Sequence, residues 1–294
     1  MNGYNYYGLS INPFDKHSFP AKDYFRSRDF TETLSRLNFL KDSKGIGLIT
    51  AQPGMGKSFA IRCFADSLNP NVFQMVYVCL STVSVTEFYK QLCLVLGLPD
   101  TGGKTKMFAS VKEQILSLYK DKQQPLILAI DEAQYLNASI LNDIKMLMNY
   151  SFDSLNCFTL ILSGEQYLNA ILCKPVHEAL RQRISIHYDF NGLSPEETAD
   201  YIYHKIGRAD GSRTIIDTSA INAVTSYVRG NPRLIDNIMS DAIMLGAQMD
   251  RKTIDVLLYL VLLIIILIAV VTAKLFWPLM ETSDSVIRGG KYQC

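Results

Sequence analysis

The fold of this chain is decided by the octapeptide AQPGMGKS at residues 51–58. An apolar run, GIGLIT at residues 45–50, comes directly before it, and a stretch with helical periodicity follows at residues 58–68. A glycine-rich loop between a buried strand and a helix turns backbone N–H groups inward, toward the positive end of that helix. The octapeptide therefore predicts a phosphate-binding loop.

The individual residues of this loop fit that prediction with one departure. The strict phosphate-loop pattern has glycine where this chain has Ala51, but Gly54, Gly56, Lys57 and Ser58 are all in place. We expect Lys57 to reach the β- and γ-phosphates of a nucleotide and Ser58 to bind Mg²⁺. The residues predicted to bind the nucleotide are Gln52, Pro53, Gly54, Met55, Gly56, Lys57, Ser58, Phe59 and Asp131. The alternative, a glycine-rich turn with a capping serine, needs no lysine at this position.

A pair of carboxylates, Asp131 and Glu132, follows the apolar run LILAI at residues 126–130. Parallel α/β sheets place their ligands outside the carboxyl ends of the strands, so this pair is expected close to the loop. Asp131 is predicted to hold Mg²⁺ together with Ser58, and Glu132 to polarise the attacking water. The alternative is a solvated pair at the end of a strand.

Four further side chains are candidates for catalysis. Ser163 ends the apolar run at residues 158–162 and could hydrogen-bond the γ-phosphate or the attacking water. Arg181 and Arg183 are candidates for a finger inserted into a neighbouring subunit's site. Arg233 could fold over the phosphates and report the nucleotide state. For each arginine the alternative is a surface ion pair.

The distribution of apolar runs predicts an α/β fold. Five strands are predicted at residues 45–50, 75–80, 126–130, 158–162 and 184–188. Helical stretches separate them, which indicates a doubly wound parallel sheet. From Ser194, a capping box followed by three helical stretches predicts a small C-terminal helical lid domain. The predicted domains are a 1–44 N-terminal segment, a 45–193 α/β domain and a 194–251 helical lid.

The last part of the chain differs from the rest because it contains a long apolar run without charges. Residues 256–273 carry no charge, and Leu275, Phe276 and Trp277 extend the apolar run beyond Lys274. A run of this length, apolar on all sides, predicts a transmembrane helix over residues 256–277, followed by a short tail at residues 278–294. A buried core helix is disfavoured, because such a helix should show an amphipathic stripe. An altered terminus on a soluble protein remains an open alternative.

Composition excludes several classes of protein. The chain has 294 residues, 48% of them hydrophobic and 19% charged, which excludes collagen-like and low-complexity sequences. With 29 basic and 28 acidic residues, the net charge of +1 demands no nucleic-acid or membrane-surface partner. The six cysteines form no CxxC, and the four histidines lack metal-ligand spacing. We therefore expect buried thiols in a reducing cytosol, and the N-terminus lacks the pattern of a signal peptide.

Over residues 45 to about 250, the chain resembles the AAA+ ATPases. The resemblance is carried by the phosphate loop, the carboxylate pair, the strand-end serine and the helical lid, which follow one another in this order. A narrower resemblance is to the ExeA-like ATPases. It is carried by YGLSINPF at residues 7–14, DEAQ at 131–134, HEALRQR at 177–183 and GNPR at 230–233. The resemblance implies a P-loop AAA+ fold, ATP and Mg²⁺ as cofactors, and self-assembly into an oligomer.

The resemblance also sets the functional hypotheses. The ExeA-like group includes a secretion ATPase and helper ATPases encoded beside DDE transposases. The leading hypothesis is an ATP-hydrolysing AAA+ regulator that assembles on duplex DNA and controls a partner transposase. The alternative is a membrane-anchored ATPase that energises assembly of a secretion complex, with its ATPase domain in the cytoplasm and residues 256–277 in the inner membrane. A nucleotide-dependent scaffold with little turnover is disfavoured by Glu132, which a site without hydrolysis would not need.

Overall fold

The computed structural model describes residues 3–15, 24–79, 84–151, 154–258 and 260–261. These residues form two compact units. The α/β unit takes the described residues of Ala21–Leu193 together with Gly230–Arg233. The helical unit takes the described residues of Met1–Pro20, Ser194–Arg229 and Leu234–Cys294. Residues 3–15 and 24–44, which the sequence analysis groups in one N-terminal segment, thus lie in different units.

The regular elements follow the alternation expected from the sequence. In the described part of the chain the strands are β1 (Gly45–Thr50), β2 (Gln74–Cys79), β3 (Leu126–Asp131), β4 (Thr159–Gly164) and β5 (Ile184–Asp189). The α-helices there are α1 (Gly3–Tyr6), α2 (Arg28–Ser43), α3 (Lys57–Ser67), α4 (Val85–Val95), α5 (Lys104–Lys120), α6 (Ala138–Leu147), α7 (Tyr167–Leu172), α8 (Glu178–Arg181), α9 (Pro195–Arg208), α10 (Thr218–Val228) and α11 (Pro232–Gln248). The predicted parallel sheet is confirmed, with slightly different strand bounds.

The sheet is parallel throughout, in the order β2-β3-β4-β1-β5. Every residue of β1, β3 and β4 is buried, which explains why these strands read as continuous apolar runs. Successive side chains alternate between two hydrophobic clusters. Ile46 and Leu48 pack in the cluster that contains α4, α5 and α6, whereas Ile49 packs with α2 and α3. Helices therefore cover both faces of the sheet.

Helix α2 is not among the helices predicted from the sequence, although its start carries a clear signal. Ser27 is the N-cap, and its side-chain oxygen accepts a hydrogen bond from the backbone N–H of Phe30 at 3.2 Å. Phe30, Leu37 and Leu40 recur at helical spacing, and all three are buried in the cluster beneath β1. Residues 24–44 thus complete the α/β unit.

The helical unit combines α9, α10 and α11 with the beginning of the chain. The predicted capping box opens α9, since Ser194 and Glu197 each bond the other's backbone N–H. Leu9 and Phe14 are buried, and the backbone N–H of Ser10 donates to the carbonyl of Ala209 at 3.0 Å. The N-terminal residues are therefore part of the core of this unit.

The predicted transmembrane helix cannot be followed in the structure. Apart from residues 256–258 and 260–261, the span 256–277 and the tail 278–294 lie outside the described residues. Within the described ranges, no helix combines the length and the apolar character needed to cross a membrane.

Candidate nucleotide site

The loop after β1 has the backbone that its glycines predict. Gly54 and Gly56 have φ values of 86° and 97°, in the left-handed region that favours glycine. Helix α3 begins at Lys57, so its first N–H groups and the positive end of its dipole face the loop. A helix N-terminus entered through such a loop is suited to bind phosphate.

Lys57 is only 7% exposed and lies along the loop. Its Nζ donates to the carbonyl oxygens of Ala51 at 3.0 Å and Gln52 at 3.5 Å. Burial lowers the pKa of Lys57, and the negative charges of Asp131 and Glu132 oppose that shift. The ammonium group is therefore partly desolvated and held by backbone carbonyls, and a phosphate oxygen would supply it with a charged partner.

Asp131, at the end of β3, is the best-connected carboxylate in this region. Its oxygens accept hydrogen bonds from the hydroxyls of Ser58 at 2.6 Å, Tyr77 at 2.6 Å and Ser163 at 2.8 Å, and from the N–H of Glu132 at 3.0 Å. Burial alone would raise the pKa of Asp131, but these four donors outweigh it and hold the pKa below its ordinary value. The side chain is thus a fixed anion.

The order of the strands brings these residues together. β4 lies between β1 and β3, so its end lies between the phosphate loop and Asp131. Ser163, fully buried near the end of β4, uses its hydroxyl to hold Asp131. The predicted role of Ser163 toward the γ-phosphate stays a prediction, and the structure adds a contact to the carboxylate.

Glu132, the proposed base, follows Asp131 with a left-handed backbone, φ 55° and ψ 35°. The side chain is half-buried, and Oε2 accepts a hydrogen bond from Nε2 of Gln134 at 2.6 Å. Oε1 of Gln134 accepts in turn from the backbone N–H of Glu165 at 3.1 Å. A single amide thus connects Glu132 with the residue after β4.

The GNPR stretch reaches the phosphate loop within the α/β unit. Nδ2 of Asn231 donates to the carbonyl of Pro53 at 2.9 Å, and the Asn231 side-chain oxygen accepts from the N–H of Arg233 at 3.1 Å. A Cβ added to Gly54 would lie 2.7 Å from Asn231 Oδ1 and 2.9 Å from Arg233 Cβ. Arg233 is exposed, and its positive charge contributes to the lowered pKa of Lys57. The structure therefore brings Arg233 beside the loop.

The two other arginines have different surroundings. Arg181 is exposed at the end of α8. Arg183 is half-buried, and its Nη1 donates to the carbonyl of Lys145 at the end of α6, at 2.9 Å. The guanidinium of Arg183 is thus engaged within its own chain, so Arg181 is the freer candidate for a contact with another subunit.

A second buried carboxylate, Asp29, was not predicted from the sequence and holds backbone next to the phosphate loop. Asp29 accepts hydrogen bonds from the hydroxyl of Tyr188 and the N–H groups of Asn191 and Gly192, each at 2.8 Å. A Cβ added to Gly192 would lie 3.2 Å from Sδ of Met55 in the phosphate loop. Asp29 therefore fixes backbone that borders the loop.

Sequence reasoning also misses Tyr77, Gln134 and Asn231. Tyr77 lies inside β2, where it reads as an ordinary aromatic strand residue. Gln134 and Asn231 fall inside the DEAQ and GNPR motifs, so their position was a signal, although their partners could not be read from it.

Ser58 and Asp131 fit a magnesium ion. Both offer hard oxygen atoms, and their oxygens lie 2.6 Å apart, so one ion could be shared directly or through water. Magnesium in nucleotide sites is held by one or two protein oxygens with phosphates and waters. The described residues contain no group of three or more His, Cys, Asp or Glu side chains that could hold a metal ion.

Comparison with known proteins places this site in a class. Residues 40–172 match the family described as AAA domain, a range that contains the phosphate loop, Asp131, Glu132 and Ser163. This part of the chain is therefore similar to an AAA domain.

The relatives support the narrower resemblance. The chain is 27% identical over 246 residues to General secretion pathway protein A of Aeromonas hydrophila, which covers 82% of this chain and 44% of that protein. The chain thus spans less than half the length of this curated relative. Both comparisons support the resemblance of this chain to the ExeA-like AAA+ ATPases.

Solved structures confirm the fold. Cdc6p from Pyrobaculum aerophilum matches with a TM-score of 0.63 and 16% identity over 84% of this chain and 69% of that one. The Drosophila origin recognition complex bound to DNA matches with a TM-score of 0.61 and 15% identity over 88% of this chain and 64% of that one. At such low identities the similarity is one of fold.

Proposed function

We propose that this protein binds ATP with Mg²⁺ and hydrolyses it. The observation that carries the proposal is the Asp131 carboxylate, which is fixed by four donors, one of them Ser58 at the start of α3. It joins the phosphate loop to the carboxyl end of β3, where Glu132 stands next in the chain. A phosphate cradle, a metal-holding pair and an adjacent carboxylate are what nucleotide hydrolysis requires.

Each side chain has a defined task in this proposal. The N–H groups of the loop and Lys57 Nζ bind and neutralise phosphate oxygens. Ser58 and Asp131 would hold Mg²⁺, which neutralises charge on the phosphates when it is bound. Glu132 accepts a proton from the attacking water, and Ser163 holds Asp131 in place. The contacts with Gln52, Pro53, Met55 and Phe59 are proposed to complete the nucleotide cradle.

Two arginines extend the proposal to regulation. Arg233 is proposed to contact the phosphates, because Asn231 holds the start of α11 against the loop carbonyl of Pro53. Arg181 is proposed to reach the site of a neighbouring subunit in an oligomer, since it is exposed at the end of α8. The helical unit, predicted as residues 194–251, is proposed to act as a lid that responds to the nucleotide.

The proposal predicts different defects for Lys57→Ala and Glu132→Gln in the full chain. Lys57→Ala removes the charge in the loop and should abolish ATP binding. Glu132→Gln keeps the shape of the side chain but not its basicity, so ATP binding should persist while turnover falls about 100-fold or more. Equilibrium binding and steady-state phosphate release separate the two effects.

Lys90→Ala is a suitable control, because this exposed α4 side chain is not among the residues proposed to bind the nucleotide. Normal ATP affinity in Lys57→Ala would overturn the phosphate-loop assignment. Unchanged turnover in Glu132→Gln would remove Glu132 from its role as the base.

For the biological role, we propose an ATP-dependent regulator that assembles on duplex DNA and controls a transposase. The proposal rests on the DEAQ and GNPR stretches of the ExeA-like resemblance, to which Gln134 and Asn231 contribute structured contacts at the site. The second candidate is a secretion ATPase anchored through residues 256–277. Its support is the sequence similarity to General secretion pathway protein A and the uncharged run that begins at Val256.

These roles predict different responses of the ATPase rate. Duplex DNA should stimulate the full chain if it is the DNA-dependent regulator, and the stimulation should weaken between about 50 and 200 mM salt because phosphate contacts release counterions. Lys57→Ala serves as the blank. Stimulation by lipid vesicles, with no effect of DNA at either salt concentration, would contradict the DNA role and favour the secretion candidate.

A further inference from the structure

We propose that Gln134 is a positioning residue, whose carboxamide orients the Glu132 carboxylate and links it to the end of β4. The inference rests on the proposed ATP hydrolysis and deepens it by assigning control of the base. Gln134 need not touch the nucleotide in this role. It acts through Glu132, which is the side chain that meets the water.

The direction of the Gln134 amide follows from its two partners. The backbone N–H of Glu165 can only donate, so the atom that faces it at 3.1 Å must be the amide oxygen of Gln134. The NH₂ group must then face Glu132, where it donates to Oε2 at 2.6 Å. A carboxylate can only accept, so both hydrogen bonds agree on one orientation of the amide.

The local backbone delivers Gln134 to this position. Glu132 takes a left-handed conformation, φ 55°, and a 3₁₀ turn over Ala133–Tyr135 follows at once. The N–H of Tyr135 donates to the carbonyl of Glu132 at 3.0 Å and closes this turn. The chain thus folds back so that the side chain two residues after the base contacts the base.

Such a contact matters because a glutamate has considerable freedom. Glu132 is half-buried and must otherwise lose several rotamers when it binds a water. With Oε2 held by Gln134, the second oxygen, Oε1, is presented to the water in one orientation. General-base efficiency depends first on this geometry.

The oxygen of the Gln134 amide connects this side chain to the end of β4. Glu165 follows Gly164, the last residue of β4, and Ser163 in the same strand donates to Asp131. The end of β4 therefore contacts both carboxylates of the site, Asp131 directly and Glu132 through Gln134. A displacement of this strand end would change the metal-holding residue and the base together.

Gly164 makes room for the arrangement. A Cβ added there would lie 2.5 Å from Oε1 of Gln134 and 3.1 Å from Leu168 Cδ2. The nearest atom belongs to the movable end of a side chain, so Gly164→Ala should displace the carboxamide of Gln134 rather than the strand. It offers a second way to break the same contact.

The test compares full-length Gln134→Leu, Gln134→Glu and Gly164→Ala with the wild type. Gln134→Leu and Gly164→Ala should lower kcat roughly 10- to 100-fold, because the base loses its orientation while its basicity remains. The affinity for Mg-ATP should change by about twofold or less, since neither residue holds phosphate in this proposal. Gln248→Leu is the matched control, an exposed glutamine at the end of α11.

The pH dependence of kcat separates positioning from a general structural defect. In Gln134→Glu, a second carboxylate faces Glu132, and two such groups in contact do not both ionise easily. The acidic limb of the rate profile should therefore move to higher pH, whereas Gln248→Glu should leave it in place. Denaturant unfolding of each variant shows whether it is folded.

Each outcome decides the matter. If Gln134→Leu keeps the wild-type kcat while Glu132→Gln is inactive, the inference is wrong and the proposed function stands. If Glu132→Gln also hydrolyses ATP normally, the proposed function itself fails. If Gln134→Leu does not fold, Gln134→Glu and Gly164→Ala decide, and an unshifted pH profile with normal kcat overturns the proposal.

Discussion

At the scale of single residues, Asp131 is a buried carboxylate that its hydrogen-bond donors keep negatively charged. It is 1% exposed, yet four donors hold it as an anion and keep its pKa below the ordinary value of 3.8. A buried carboxylate without such donors would have a raised pKa instead. The sequence predicts that this residue binds metal, but three hydroxyls from three different elements supply the charge state it needs.

This network predicts an acid-sensitive part of the stability. A carboxylate whose pKa is depressed on folding stabilises the protein fully above its unfolded pKa, and this stabilisation is lost as the pH falls through the folded pKa. Asp131→Asn should therefore lower the free energy of unfolding by about 1–3 kcal/mol at neutral pH. The difference from wild type should shrink below pH 3.8, the ordinary value.

Urea unfolding at a series of pH values measures this difference. Asp42→Asn is the control, because Asp42 is an exposed partner of Lys41 and a surface pair contributes about 1 kcal/mol or less. A penalty for Asp131→Asn that stays constant from neutral pH to below 3.8 would exclude the carboxylate charge as its source.

At the scale of elements, α2 is anchored by the carboxylate in its first turn. Asp29 is 4% exposed and holds Tyr188 of β5 and the two N–H groups of Asn191 and Gly192. A negative charge near a helix N-terminus is also favoured by the helix dipole. One side chain thus fixes the start of a helix and the exit of a strand.

Asp29→Ala should lower the free energy of unfolding by about 2–4 kcal/mol, because two backbone N–H groups and a phenol lose a charged partner. Glu32→Ala in the same helix is the control. Its pair with Arg36 is partly exposed, so the loss should be about 0.5 kcal/mol. Equal midpoints of urea unfolding for the two variants would contradict the anchoring role of Asp29.

The elements differ in how far the sequence reveals them. β1, β3 and β4 are predictable because strands buried on both faces must be apolar throughout. The phosphate loop is predictable because φ values of 86° and 97° require glycine. The contact of Asp29 with residues 191–192 could not be predicted, since it joins positions more than 160 apart in the chain. Gln134 was visible within a motif, but its partner Glu165 depends on the strand order.

At the scale of the whole molecule, residues 3–15 belong to the same helical unit as the described residues after Leu234. Leu9 is 3% exposed, and Gly211 leaves room for its side chain. The hydroxyls of Tyr6 and Tyr7 donate to Asp250 and to the carbonyl of Arg251, both at 2.8 Å. The helical unit is therefore not a C-terminal segment alone.

Leu9→Ala should lower the free energy of unfolding of the helical unit by about 2–4 kcal/mol through the cavity it leaves. Ile11→Ala is the control, because Ile11 is 36% exposed and loses little buried area. Thermal or urea unfolding of the full chain measures both variants, and indistinguishable transitions would show that the N-terminal residues do not stabilise this core.

This interleaving has a consequence for synthesis on the ribosome. Residues 3–15 leave the exit tunnel before the residues of 194–258 that bury Leu9 and Phe14 have been made. Most of the α/β unit is encoded between these two segments and can condense first, because domains fold as units during translation. The apolar side chains of residues 3–15 therefore stay uncovered until residues 194–258 have been made, and the synthesis of that later segment determines when the N-terminal peptide becomes folded.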